Sequence, residues 1–449
     1  MTRLAIPEGG SLHRPEPRSV PDNGTEPTRV ESKLSNGLRV SAVRMPHVRR
    51  SVIDIHTRIG SRFESAADNG ISHFLEHMLH RGTARYPSAH AQALAFETLG
   101  GALSAMTYVD HGALSLAAPP ENLSALLEIL AEVLIEPIFS GLSVEKGIVR
   151  EEILESLDED GRSVDADHLL RALAFPNHPL GFPITGTLST LDSFDIPLLH
   201  RHHRARYVAE GSVVTIAGPF DPQAMLAQLE GVFRALPSGA EPLAVAPAPQ
   251  TELRFSHVKY TGSQASVRVG FRAPGELDAD EPATELLLRV LDDGMATRLY
   301  ERLCDERGLC YDVSASYEAY VDAGLFDVAA DAAPERAEDV LSEIFNVLRA
   351  LRDEGPSQAE LEKAKRRFAW QLAEQDDDPA ALSSFYGLGE LTGVARTPRE
   401  RRALLEATTL DDVKRAAARL FARDALNLLI VGPVSAKVRD RLERAARAF

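Results

Sequence analysis

The second half of this 449-residue chain repeats a pattern found in the first half. Residues 110–118 read DHGALSLAA and residues 322–330 read DAGLFDVAA, at an offset of 212 positions. In both places proline and glutamate follow, and then a long segment whose apolar residues recur at the helical period. The repeat therefore predicts two related structural units, each containing a strand followed by a helix.

Length and composition divide the chain further. A chain of 449 residues exceeds what one hydrophobic core usually serves. Residues 237–250 contain four prolines and no apolar period, which is typical of a linker. We predict a loosely attached or disordered arm over residues 1–29, a first domain over 30–236, the linker over 237–250 and a second domain over 251–449.

Local patterns predict the elements of the first domain. Alternating apolar and polar residues indicate strands, and apolar residues three and four positions apart indicate helices. The predicted strands are 30–34, 38–44, 51–58, 102–108, 112–118 and 212–217, and the predicted helices are 70–82, 88–99, 121–136, 144–158 and 221–236.

Composition also excludes several classes of protein. The net charge of −17 argues against nucleic-acid binding, which depends on clustered lysine and arginine. The sequence contains no run of 18 apolar residues, so no membrane span is predicted. The first residues lack the apolar stretch of a secretory signal. Cys304 and Cys310 form no disulfide framework, and we interpret them as ordinary thiols of a reducing compartment. A cytoplasmic location is therefore expected.

Residues 73–77 read HFLEH, and they carry the strongest chemical signal in the chain. On a helix, His73 and His77 are four residues apart and share one face, from which two imidazoles can bind one metal ion. Glu76 projects beside them and could take a proton from water. This is the inverted order of the HExxH zinc signature, and it predicts metal-assisted hydrolysis.

Two histidines do not complete a zinc site, and carboxylate is a usual third ligand. A downstream helix with spaced glutamates supplies candidates. Glu145 and Glu152 are seven residues apart and share a helix face. Spacing alone leaves Glu151 and Glu155 open as alternatives.

His73 to His77, followed by Glu145, six residues and Glu152, closely resembles the pitrilysin or insulinase family of zinc peptidases. The resemblance implies that His73, His77 and Glu152 bind one Zn²⁺ per chain, that Glu76 is the general base, and that Glu145 supports the ligands from outside the metal shell. It also implies an α+β fold of two homologous α/β-roll domains. In each, a largely antiparallel sheet packs against helices, and together they form half of a clamshell.

The resemblance further implies how a peptide substrate binds. Ser104, Ala105, Met106 and Thr107 would lie on an edge strand to which the peptide adds as an extra strand. The family usually carries asparagine at the position of Ser104, whereas Thr107 matches.

In the second half of their chain, members of the family carry an arginine and, after six further residues, a tyrosine. These two side chains bind the substrate and stabilise the charge that develops on it. Tyr311 supplies the tyrosine, but Cys304 stands where the arginine is expected, with Arg302 and Arg307 nearby. At an offset of 214 residues the three motif residues of the first half align with Leu287, Val290 and Leu291, so the second half is predicted to hold no metal.

Other histidines receive structural interpretations. His178 lies among proline and glycine residues, which favours a loop residue over a ligand. The run HRHHR at residues 200–204 is interpreted as a solvated helix face, because no cysteine or carboxylate is spaced to complete a site.

Together these patterns favour a zinc endopeptidase that hydrolyses peptides or unfolded segments inside a chamber. The missing arginine favours a heterodimer with a related chain that carries the Arg/Tyr pair, and the alternative is a homodimer that works with Tyr311. Three other functions stay open: a non-catalytic scaffold or regulatory subunit, a dedicated leader-peptide protease, and a zinc hydrolase acting on non-peptide carbonyls.

Overall fold

The computed structural model describes residues 27–449. Most of the predicted N-terminal arm lies outside the described residues. The first strand begins at Thr28, so the end of the predicted arm belongs to a sheet.

Two mixed sheets form the framework of the described residues. The first sheet has the order β1-β2-β6-β3-β5-β4 and contains β1 (Thr28–Lys33), β2 (Arg39–Arg44), β3 (Ser51–Thr57), β4 (Ala102–Thr107), β5 (Gly112–Ala118) and β6 (Ser212–Gly218). The second has the order β7-β11-β8-β10-β9 and contains β7 (Arg254–Val258), β8 (Ala265–Ala273), β9 (Val313–Ala319), β10 (Gly324–Ala332) and β11 (Leu426–Val431).

The second sheet repeats the first. In the orders given above, β2-β6-β3-β5-β4 corresponds to β7-β11-β8-β10-β9, and β1 is an addition at one edge. The pairs β2 with β6 and β7 with β11 are parallel, and the other neighbouring strands are antiparallel. Gly112 and Gly324, which begin corresponding strands, are 212 residues apart, as the sequence repeat requires. The predicted fold class, two sheets packed against helices, is confirmed.

Helices pack against both sheets. In the first half they are α1 (Ile71–Leu79), α2 (Ala89–Thr98), α3 (Leu123–Ile135), α4 (Leu142–Glu155), α5 (Ala166–Ala174), α6 (Leu188–Ser193), α7 (Ile196–Arg206) and α8 (Pro222–Phe233). In the second half they are α9 (Glu281–Leu291), α10 (Arg298–Tyr300), α11 (Ala337–Asp353), α12 (Gln358–Gln375), α13 (Pro379–Thr392), α14 (Pro398–Ala407), α15 (Leu410–Leu420) and α16 (Ala436–Arg447). Residues 237–250 contain neither helix nor strand.

Each half contributes one helix to the other half's sheet. Helix α5 packs on the second sheet, where Leu170 and Ala174 are buried with Leu429 of β11. Helix α13 packs on the first sheet, where Leu382 is buried with Met45 and its neighbours. Because this exchange covers the back of each sheet, every residue of β3 and β6 is buried.

The prediction that residues 200–204 form a solvated helix face was wrong for two histidines. His202 and His203 of α7 are buried. The Nε2 atom of His203 lies 2.7 Å from the carbonyl oxygen of Leu134, which satisfies the ring inside the core. Burial lowers the pKa of both histidines to about 4, so both are neutral at pH 7.

The packing of α13 on the first sheet predicts how a substitution in this helix changes the free energy of unfolding. Leu382→Ala should lower the free energy of unfolding by about 2–5 kcal/mol, because it opens a cavity at a fully buried site. Urea unfolding followed by circular dichroism measures the change. Leu243→Ala in the exposed linker is the matched control and should change the free energy by less than about 0.5 kcal/mol. Equal effects of the two variants would contradict the packing of α13.

Candidate metal centre

The start of α1 is fixed by a residue outside the helix. The Glu64 carboxylate accepts hydrogen bonds from the backbone N–H of Gly70 (2.7 Å) and of Ser72 (2.9 Å) and from Asn69 Nδ2 (2.9 Å). These bonds satisfy donors that a helix N-terminus leaves free. No local pattern in the sequence indicates this role of Glu64, because Glu64 lies six residues before Gly70 and outside the spacing of a capping box.

Gly70 is required at this helix start. It adopts a φ of +89°, and a Cβ atom there would lie 2.6 Å from the Cα of Gly186. The loop around Gly186 therefore packs directly on the N-terminus of α1, and a side chain at position 70 would displace it.

His73, His77 and Glu152 converge on one point between α1 and α4. His73 Nε2 lies 3.3 Å from Glu152 Oε1, and His77 Nε2 lies 3.6 Å from Glu152 Oε2. One ligand atom from each residue lies within 4.8 Å of the others. Ligand atoms bound to tetrahedral zinc at about 2.0–2.1 Å are roughly 3.3 Å apart, so this donor set fits zinc.

The structure distinguishes Glu152 from its sequence neighbours. Glu151 is exposed, and Glu155 lines the nearby cleft without joining the group of three. Hydrogen bonding to His73 lowers the pKa of Glu152 against the opposing effect of burial. Glu152 is therefore a carboxylate at neutral pH, as a metal ligand must be.

Glu145 lies behind His77 and fixes its orientation. Its Oε1 atom is 2.9 Å from His77 Nδ1, and its Oε2 atom is 3.3 Å from an Arg81 guanidinium nitrogen. A neutral His77 that donates from Nδ1 presents the lone pair of Nε2 to the metal position. Glu145 itself is buried, so this contact is shielded from solvent.

Glu76 is held by the neighbouring strand. Thr107 Oγ1 at the end of β4 donates a 2.6 Å hydrogen bond to Glu76 Oε2. Tyr207 is buried near this carboxylate. The pKa of the Tyr207 hydroxyl is raised, mainly by burial and to a smaller extent by the negative charge of Glu76. One carboxylate oxygen is thus fixed, and Glu76 lines the same cleft as the three potential ligands.

These residues open into one cleft of about 1180 Å³, large enough for several peptide residues. Its walls are the metal-binding residues, the end of β4, the segment that leads into α5, and residues 183–189, which form a loop and the start of α6. Strand β4 is the edge of the first sheet, as the resemblance implied. Ala105, Met106 and Thr107 line the cleft, whereas Ser104 lies outside its lining and is exposed.

Tyr311 is separate from this cleft. It does not line the cleft, and its side chain is 96% exposed. Arg302 and Arg307 do not replace the missing arginine there, because their guanidinium groups pair with Glu343 at 2.6 and 2.8 Å. Cys304 has a free thiol, 3.8 Å from that of Cys310.

The second half offers no equivalent metal site among the described residues. The aligned residues Leu287, Val290 and Leu291 are buried in its apolar core. His73, His77 and Glu152 form the one group of three potential ligands found in residues 27–449. His178 is a loop residue, with Nδ1 accepting from the Leu180 N–H at 3.2 Å.

Helices able to cross a membrane are absent from the part of the chain that the structure describes.

Two family models match the chain. The model of the insulinase family, peptidase family M16, matches residues 39–188, which include the histidine motif and both spaced glutamates. The model of the peptidase M16 inactive domain matches residues 193–368. Together they span most of the chain.

Curated relatives match over nearly the whole length. A protein of Streptomyces coelicolor named an uncharacterized zinc protease is 28% identical over 422 residues, which are 92% of this chain and 91% of the relative. A Bacillus subtilis protein of the same description is 29% identical over 401 residues, which are 88% of this chain and 96% of the relative.

Solved structures share the fold. The peptidase M16 inactive domain from Pseudomonas fluorescens superposes with a TM-score of 0.84 at 22% identity, covering 91% of this chain and 99% of that one. A protease from Helicobacter pylori gives a TM-score of 0.84 at 20% identity, covering 91% of this chain and 100% of that one. With two family models, full-length relatives and the same fold in agreement, the chain belongs to the insulinase family of peptidases, family M16.

Proposed function

We propose that this chain is a zinc-dependent endopeptidase that hydrolyses peptides or unfolded segments. One observation carries the proposal: three metal-ligand atoms, a fixed carboxylate and an edge strand meet in a single cleft. The names of the relatives as zinc proteases support it.

His73, His77 and Glu152 would hold the zinc ion, and Glu145 would keep His77 in the binding tautomer. Zinc with an open coordination position supplies Lewis acidity, which activates water and polarises a carbonyl group. Three protein ligands leave such a position open.

Glu76 acts as the general base. Its Oε2 accepts the hydrogen bond from Thr107, so Oε1 is the oxygen available to accept a proton from the attacking water. The same carboxyl group can then return the proton to the leaving amine.

The substrate would bind along β4. The exposed edge of this strand offers backbone N–H and C=O groups to an extended peptide, and such pairing reads backbone more than side chains. Both general peptide turnover and removal of a leader segment would use this mode. A scaffold role would require none of these residues, and a small non-peptide substrate would suit a more enclosed pocket.

The exposed position of Tyr311 supports a dimeric enzyme. Tyr311 lies outside the cleft of its own chain. A contact between Tyr311 and a substrate would therefore occur in the cleft of another chain. That other chain is a second copy, or a related chain that carries both the arginine and the tyrosine. A cytoplasmic location stays a prediction from the two free thiols.

The metal assignment predicts a clear difference between adjacent glutamates. The wild-type chain should bind about one zinc ion, Glu152→Ala should lose it, and Glu151→Ala should keep it, because Glu151 points to solvent. Metal analysis after dialysis measures the content. Zinc loss in Glu151→Ala instead would move the third ligand by one residue.

The base assignment predicts loss of activity without loss of metal. Glu76→Gln should lower kcat by about 10²–10⁴-fold and keep stoichiometric zinc, because the proton acceptor goes while the ligands stay. Cleavage of an unstructured fluorogenic peptide is the assay, with zinc measured on the same sample.

The wild-type result of that assay also identifies the partner. Cleavage by the purified chain alone would indicate a second copy, whereas bound zinc without cleavage would indicate a related chain. The absence of both bound zinc and cleavage would contradict the proposed function. Near-wild-type cleavage by Glu76→Gln would contradict the assignment of Glu76 as the base.

The hydrogen bond from Thr107 makes a separate prediction. Thr107→Val should lower kcat by about tenfold or more, since a bond to a charged group contributes about 1.5–3 kcal/mol. Thr107→Ser keeps the hydroxyl and is the matched control, expected within a few-fold of wild type. Equal kinetics of the valine and serine variants would show that the hydroxyl does not position Glu76.

A further inference from the structure

Helix α5 presents one face to the cleft and the other to the second sheet. Asp165 at the N-cap, His168 and Arg171 line the cleft at spacings of three residues, as one face of a helix requires, and Val164 lines it just before the helix. Leu170 is buried against the second sheet on the opposite side. The wall that carries Arg171 is therefore fixed by the core, and its position does not depend on a loop.

Arg171 forms no direct hydrogen bond or ion pair among the described residues. Within residues 27–449 its side chain donates no hydrogen bond, and no carboxylate oxygen lies within 4 Å of its nitrogen atoms. Its Nε atom is nevertheless buried. The Glu318 carboxyl of β9 interacts with Arg171 without forming an ion pair: burial raises the pKa of Glu318, and the positive charge of Arg171 opposes that shift.

The other charges near this wall are already engaged. Asp165 caps α5 by accepting from the N–H groups of Asp167 (3.0 Å) and His168 (3.2 Å). Burial, followed by the charge of Arg171, lowers the pKa of His168, so that histidine is neutral at pH 7. Arg171 is thus the one lysine or arginine among the described residues that line the cleft.

We propose that Arg171 gives the cleft a preference for peptides that carry an aspartate or glutamate close to the scissile bond. This inference rests on the proposed peptidase function and names the substrate class of that same site. A guanidinium group can bind a carboxylate through two parallel hydrogen bonds, and its half-buried position strengthens the contact relative to one in open solvent. Glu155 and Asp165 also line the cleft away from the metal position, and among the described residues Arg171 is the one guanidinium group there that can pair with a substrate carboxylate.

The test uses peptides that are identical except for Glu, Gln or Lys at each position near the cleavage site. For the wild-type enzyme, kcat/KM should favour Glu over Lys by about tenfold or more at one position. Arg171→Gln should abolish the preference, Arg171→Glu should reverse it at the same position, and Arg171→Lys should retain part of it. Arg204→Gln removes an exposed arginine outside the cleft and should change nothing.

Binding measurements separate this inference from the proposed function. The same peptides, labelled for fluorescence anisotropy, are titrated onto Glu76→Gln and onto Glu76→Gln with Arg171→Gln. A preference for Glu that disappears in the double variant supports the role of Arg171 even where the purified wild type cleaves nothing. The proposed peptidase function is then decided separately, by the zinc content of the wild type. Cleavage with no charge preference, or a preference that persists in Arg171→Gln, would overturn the role of Arg171.

Discussion

The reciprocal exchange of helices between the two halves is the constraint on which the rest of the structure depends. A sheet in the middle of a protein has two faces to cover, and each half of this chain covers one face of its sheet with its own helices. The second face is covered by a helix from the other half, α13 on the first sheet and α5 on the second. The two halves therefore hold one another in place, and α5, one wall of the cleft, is anchored to the second sheet.

This packing of helices fixes the positions of the residues that line the cleft. Helix α5 forms one wall because Leu170 and Ala174 anchor it to the second sheet, while the metal-binding helices belong to the core of the first half. Around the metal position, three polar contacts orient the site without a substrate: Glu64 with the start of α1, Glu145 with His77, and Thr107 with Glu76. Oriented groups of this kind need little rearrangement when a reaction begins.

The repeat also shows how one fold can serve two purposes. The strand order and directions agree in both halves, yet positions that carry His73, Glu76 and His77 in the first carry buried aliphatic residues in the second. Apolar residues at those positions strengthen a core, whereas two imidazoles and a carboxylate stabilise it less and gain a chemical role. The second half instead supplies the sheet on which α5 rests, and the exposed Tyr311.

The sequence by itself determined the elements and the ligand types. Helical spacing placed His73, His77 and Glu76 together, strand alternation located β4 and β5, and the 212-residue offset predicted two related structural units, because these signals are local or repeat along the chain. Only the tertiary structure decided what covers each sheet and which distant groups meet. Asp54 and His56 alternate along β3 as if facing water, but α13, more than 300 residues away, buries them. The same holds for Glu64 and His203. Their roles come from contacts that join distant segments or fall off any helical period, and no local pattern records such contacts.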